Sequence, residues 1–100
     1  MGIDLTARVV IITGGAKGIG EGCVRKFVEA NATVASFDID SHALAAQSKT
    51  YENLGSKYSF FTVDVSKEDQ VKAAVDQVIA KYGRIDSLIN CAGIQTYGDI

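Results

Sequence analysis

The stretch Arg8-Val9-Val10-Ile11-Ile12-Thr13-Gly14-Gly15-Ala16-Lys17-Gly18-Ile19-Gly20 decides how the rest of this chain is read. Four consecutive β-branched residues, Val9 to Ile12, have the unbroken apolar character of a strand buried on both faces, so a strand is predicted over residues 8–13. Glycines follow at once, with Gly14, Gly18 and Gly20 spaced G-x-x-x-G-x-G. Beyond them Ile19, Cys23, Val24, Phe27 and Val28 fall on one face of a helix, with Glu21 and Arg25 at i,i+4 on the outside. A glycine-rich turn that leaves a buried strand and opens a helix aims backbone N–H groups and the helix's positive end at one place, with no side chain in the way. That is a seat for a pyrophosphate. One or two glycines would serve merely to turn the chain, but three at a strand-to-helix junction favour binding. A Walker-type nucleoside triphosphate loop is disfavoured, because Glu21-Gly22 stands where Lys-Ser/Thr is required.

Outward from this loop the chain alternates. The first helix is predicted to end near Asn31, a residue that tolerates the left-handed conformation of a helix terminus. Thr33 to Phe37 reads as a second strand, closed by Asp38 and Asp40, and Ser41 as the N-cap of a helix running to about Asn53, with Gly55 as its stop. Tyr58 to Val65 reads as a third strand. Ser66-Lys67-Glu68-Asp69 matches a capping box, and Val71, Ala74, Val75, Val78, Ile79 and Tyr82 form the apolar stripe of a third helix ending at Gly83. Ile85 to Asn90 is the fourth strand. Right-handed crossovers turn this alternation into an α/β unit, a parallel sheet with helices on both faces.

Asp38 lies 24 residues beyond Gly14 at the end of the second strand, where a dinucleotide-binding fold places a carboxylate on the adenosine ribose. Taken alone, such an acid also serves to cap or solubilise a loop. Composition narrows the remaining choices. With 47% hydrophobic residues among 100, a single globular domain over residues 1–100 is expected, and a net charge of -2 supplies no basic face for nucleic acid. No apolar run approaches the roughly 18 residues needed to cross a bilayer. Met1, Gly2 and Thr6 fit a myristoylation pattern but lack a polybasic second anchor, and Asn31-Ala32-Thr33 is a glycosylation acceptor only in a secreted protein. A cytoplasmic protein is expected, with Cys23 and Cys91 as reduced thiols. His42 reads as a solvated surface residue, and no cluster implies a metal site.

The ordered landmarks resemble the classical short-chain dehydrogenase/reductase family. Thr13 to Gly20 match its T-G-x-x-x-G-x-G loop, Asp38 its acidic residue after the second strand, and Asp64-Val65 its adenine-contacting pair after the third. Asn90-Cys91-Ala92-Gly93 is similar to its N-x-A-G segment, with Cys91 in place of a frequent asparagine, while Asn31 replaces a usual glycine. The resemblance implies a Rossmann-type sheet of strand order 3-2-1-4, the incomplete half of a doubly wound domain. It implies cofactor contacts from Gly14, Lys17, Gly18, Ile19, Gly20, Asp38, Ile39, Asp64, Val65, Asn90, Cys91, Ala92 and Gly93. It also implies hydride transfer between NAD and a secondary alcohol or carbonyl substrate, in a homo-oligomer when intact.

The family's catalytic serine and Tyr-x-x-x-Lys pair should lie beyond residue 100, so no catalytic residue is assigned. Tyr51, Tyr58 and Tyr82 are followed four residues later by Gly55, Thr62 and Asp86, never by lysine. The chain is therefore expected to be the cofactor-binding part of a longer enzyme, inactive alone. Its alternative is a non-catalytic fragment that binds a dinucleotide or modulates a partner. Lys17 occupies a position where NADP-using relatives often carry a base, which opposes NAD. Ile39 stands where many of them place arginine, and with Asp38 it makes NADP the less expected cofactor.

Overall fold

Every residue of β1 (Val9–Thr13) is buried, because strands border both of its edges and helices cover both of its faces. The computed structural model describes residues 3–91. After β1 come α1 (Gly18–Glu29), β2 (Thr33–Asp38), α2 (Ser41–Thr50), a 3-10 segment (Glu52–Lys57), β3 (Tyr58–Thr62), α3 (Glu68–Tyr82) and β4 (Ser87–Asn90). The sheet order is β3-β2-β1-β4 and all three pairings are parallel, as the sequence predicts. Register pairs Thr13 with Phe37 on one side and Asn90 on the other, and Asp38 with Thr62. All four strands therefore finish at one edge of the sheet.

Alternation along the strands builds two cores. Val9, Ile11, Ala35 and Phe37 meet Ala74 and Val78 of α3 on one face, whereas Val10, Ile12 and Val34 meet Val24 of α1, Tyr58 and Cys91 on the other. Full burial of each valine or isoleucine contributes roughly 1.5–3 kcal/mol, so the two cores hold the helices against the sheet. At the end of α1, Asn31 takes a φ of 70°, the left-handed stop expected of it. Gly83 ends α3 with a φ of 80°. No helix among the described residues is long and apolar enough to cross a membrane.

Several local expectations are corrected. Helix α2 stops at Thr50, before the predicted Asn53, and the Glu52–Lys57 segment carries the chain on to β3. Its N-cap is Asp40 instead of Ser41, because the Asp40 carboxylate accepts the Ala43 N–H at 3.0 Å. Strand β3 ends at Thr62 instead of Val65, since its partner β2 runs out at Asp38. The capping box before α3 does not form. Ser66 turns back instead, donating its hydroxyl to Asp64 Oδ1 at 2.6 Å, and Lys67 takes the N-cap position with no side-chain bond. Strand β4 begins at Ser87 instead of Ile85. Ile19 was expected on the buried face of α1 and is 56% exposed, because the first turn projects past the end of β1. Glu21 and Arg25 do not appear among the ion pairs of the described residues.

Just before β4, Asp86 fastens the opposite edge of the sheet. Its Oδ2 accepts the Val9 N–H at 2.8 Å, and its Oδ1 meets Arg84 at 2.6 Å and Arg8 at 3.6 Å. The Arg84 hydrogen bond first, then the Val9 N–H, lowers the Asp86 pKa. A carboxylate depressed in the folded state stabilises the fold above its unfolded pKa, about 3.9, and this contribution is lost as pH falls through the folded value. In the intact protein Asp86→Asn should accordingly flatten the loss of stability below about pH 4, as read from urea midpoints across pH. An acid limb unchanged in that variant would remove Asp86 as its source.

Gly20 and Gly22 make a matched pair of tests within α1. A Cβ on Gly20 would overlap the carbonyl of Gly14, while one on Gly22 would meet nothing within 4 Å. Gly20→Ala should cost about 2–3 kcal/mol by overpacking, whereas Gly22→Ala should gain about 0.5–1 kcal/mol by helix propensity. Denaturant unfolding of the two variants, side by side, checks the difference in sign.

Candidate functional site

The carboxyl edge of the sheet collects one segment from each strand. After Thr13 the chain crosses this edge through Gly14, at a φ of 65°, and Gly18, at a φ of 58°, a region that side chains with a Cβ rarely enter. Gly20 then lets α1 start directly against the loop, its bare Cα packed on the Gly14 carbonyl. Three bonds hold the crossing in place. Gly15 donates its N–H to the Phe37 carbonyl at 3.1 Å, and Ala16 donates to Asp38 Oδ2 at 3.0 Å. The Gly15 carbonyl in turn accepts from Gln47 Nε2 at 2.7 Å.

Asp38 is 7% exposed and central to this edge. Its second oxygen, Oδ1, accepts the Asp40 N–H at 3.0 Å, and its carbonyl accepts the Val63 N–H at 2.9 Å. One residue thus joins the glycine loop, the start of α2 and the end of β3. Ile39 beside it is 64% exposed. Lys17 pairs with Asp40, Nζ to Oδ2, at 3.2 Å. The Ala43 N–H first, then Lys17, holds the Asp40 carboxyl below its ordinary pKa.

The third segment follows β3. Asp64 Oδ1 accepts both the hydroxyl and the N–H of Ser66, and these bonds lower its pKa. Its own N–H donates to Gln70 Oε1 at 2.9 Å, and Val65 next to it is exposed. The fourth follows β4. Thr13 donates its hydroxyl to Asn90 Oδ1 at 2.8 Å, and Cys91 donates its N–H to the Thr13 carbonyl at 3.1 Å. Ala92 and Gly93 lie outside the described residues. Gly14, Lys17, Asp38, Ile39, Asp64, Val65, Asn90 and Cys91 thus occupy the ends of four neighbouring parallel strands or the turns that leave them, and Gly18, Ile19 and Gly20 form the first turn of α1.

Two residues that support this edge went unread in the sequence. Gln47 is 6% exposed on the inner face of α2, and its Oε1 accepts the Tyr58 hydroxyl at 2.6 Å. Burial pushes the Tyr58 hydroxyl far above its ordinary pKa, so it stays a neutral donor and fixes which end of the amide faces Gly15. The signal was present as a polar residue one turn after Leu44, inside the buried stripe of α2. A cavity of about 820 Å³ opens elsewhere, across β3 and lined by Tyr51, Phe60 and Lys81, and contains none of the candidate residues. Among the described residues no group of His, Cys, Asp and Glu gathers as a metal site.

This arrangement has close parallels in known proteins. A 3beta-hydroxysteroid dehydrogenase 2 from Eggerthella lenta is 39% identical over 90 residues, which cover 90% of this chain and 35% of that protein. The crystal structure of a short chain dehydrogenase from Bacillus anthracis superposes with a TM-score of 0.81 at 31% identity, covering 86% of this chain and 34% of that one. The C-domain of a bacterial malonyl-CoA reductase, solved with NADP, superposes with a TM-score of 0.75 at 31% identity, covering 86% of this chain and 14% of that one. The chain therefore spans about a third of the length of the curated relative it matches. The family model for short chain dehydrogenases matches residues 8–100, so that the chain belongs to the short chain dehydrogenase family.

Proposed function

We propose that the protein is an oxidoreductase that interconverts a secondary alcohol and a carbonyl compound with NAD, and that residues 1–100 form its cofactor-holding part. The observation that carries this reading is the bond between Asp38 Oδ2 and the Ala16 N–H, which brings a buried carboxylate against the glycine loop. The residues fit a dinucleotide. Gly14 and Gly18 take left-handed backbone and carry no side chain, so a pyrophosphate can approach the loop closely, and the N-terminus of α1 adds its positive end. Asp38 spends one bond on each oxygen, and a carboxylate has about four acceptor sites, so two remain for a pair of ribose hydroxyls. Exposed Ile19, Ile39 and Val65 on adjacent turns supply apolar surface for an adenine. Asn90 orients the end of β4 through Thr13.

When bound, the nicotinamide supplies the hydride chemistry. The residues of this chain bind, orient and discriminate. An intact carboxylate at Asp38 repels the 2′-phosphate that distinguishes NADP, and such like-charge contacts cost several kcal/mol. The competing preference is carried by Lys17, a cation in the loop, and by the relative solved with NADP. Lys17 is committed to Asp40, which lessens its draw on a phosphate. The two thiols fit a reducing compartment, and we place the protein in the cytoplasm.

Dissociation constants of the full-length protein for both cofactors test the assignment. NAD should bind about a hundredfold more tightly than NADP, and Asp38→Asn, which keeps an acceptor for Ala16, should shrink that ratio to within about tenfold. Tighter binding of NADP by the unmodified protein would reject NAD as the cofactor.

A companion variant isolates Lys17. Asp40→Asn retains a good N-cap for α2 but removes its ion pair with Lys17, so NADP affinity should rise by up to about fivefold, the worth of an exposed ion pair, with NAD affinity unchanged. Adding Lys17→Ala should cancel the gain, and its persistence would show that Lys17 is not the cause.

A further inference from the structure

Cys23 and Cys91 are 68 residues apart in sequence, yet the fold brings their sulfurs to 3.8 Å. Cys23 lies in the second turn of α1 and is half-buried, while Cys91 follows β4 and is 1% exposed. Around them stand Val10, Ile12, Val24 and Ile89, which offer a thiol no other polar partner. The Cys91 S–H donates to the Cys23 sulfur, and the Cys91 backbone is tied to β1 by its N–H bond to the Thr13 carbonyl. We propose that Cys23 and Cys91 are an oxidant-responsive thiol pair that closes into a disulfide joining α1 to the carboxyl end of β4, and that this bond weakens ligand binding at the glycine loop. The second half of the proposal rests on the dinucleotide reading of that loop.

The chemistry requires a two-electron oxidant, and hydrogen peroxide is the simplest of its class. The more exposed Cys23 thiolate attacks one peroxide oxygen, the O–O bond breaks, and a sulfenic acid forms with release of water. The Cys91 sulfur then attacks the Cys23 sulfur, the S–O bond breaks, and the hydroxyl leaves as water with the Cys91 proton. Two thiols and one peroxide become one disulfide and two waters. Burial raises the Cys91 pKa, which keeps it from being oxidised first, and its sulfur 3.8 Å from Cys23 places it to take the second step.

Geometry connects this bond to the loop. A disulfide spans about 2.05 Å between sulfurs, so the pair must approach by about 1.8 Å from its present separation. Cys91 is tied to β1 in the middle of the sheet through its N–H, and Cys23 is carried by α1, so closing the gap draws on the position of α1 together with rotation of the two side chains. The first turn of α1 carries Gly18 and Gly20, and Gly20 already touches the Gly14 carbonyl. Any shift of α1 toward Cys91 therefore displaces the N–H groups that would face a pyrophosphate.

The test treats the full-length protein with hydrogen peroxide, alkylates the remaining thiols and maps a non-reducing digest by mass spectrometry. The Cys23 and Cys91 peptides should appear joined, at the mass of their sum less two hydrogens, and dithiothreitol should part them. With Cys91→Ala, Cys23 should stop as a sulfenic acid that dimedone traps. Affinity for NAD should fall roughly tenfold on oxidation, about the worth of one hydrogen bond to a charged phosphate, and recover with dithiothreitol. Cys23→Ser should be insensitive to peroxide. Two unlinked peptides, or a link between two molecules, would overturn the disulfide. A mapped disulfide with unchanged affinity would overturn its effect on the loop. Reduced protein that binds neither NAD nor NADP would instead overturn the functional reading and leave the mapped disulfide standing.

Discussion

β1 is hydrogen-bonded to a strand on each edge and covered by a helix on each face, so its chain has one way out, across the carboxyl edge of the sheet. It must turn there into α1 without lifting the helix off the core that Val24 makes with Val10 and Ile12. That demand sets the loop's composition. Gly14 and Gly18 take left-handed backbone, and Gly20 admits a carbonyl where a Cβ would stand. The same tightness that closes the core leaves the loop's outer backbone clear of side chains.

Around this crossing, buried polar groups serve as ties. Asp38 and Gln47 each reach back to the glycine loop, one through Ala16 and the other through Gly15. Leaving a buried partner unsatisfied costs about 1–3 kcal/mol, which makes these two bonds a constraint on loop position as well as a contribution to stability. Asp38 answers two demands with one carboxylate. It holds the loop through one oxygen and the start of α2 through the other.

Charge near the loop is balanced locally. Lys17 at the glycine loop is engaged by Asp40, which also caps α2. A pair with both partners partly exposed is weak, so this balance of charge contributes little to stability. The thiol pair adds a second influence on the same edge, reaching it through the position of α1.

The order of elements and the parallel sheet were legible in the sequence, because buried β-branched runs, helical periodicity and a glycine loop are all local patterns, whereas the 3-2-1-4 strand order was implied by the family resemblance and is decided by long-range pairing. Asp38 and the loop glycines were legible for the same reason. Helix and strand ends were less so. Asp40 took the cap from Ser41, and Ser66 turned toward Asp64, because neighbouring polar side chains compete for the same few N–H groups and only the folded backbone decides between them. The contacts among residues far apart in sequence were decided by tertiary structure alone. Gln47 under Gly15, Asp86 on the Val9 N–H, and Cys23 beside Cys91 depend on how strands pair and helices pack, which no local pattern encodes.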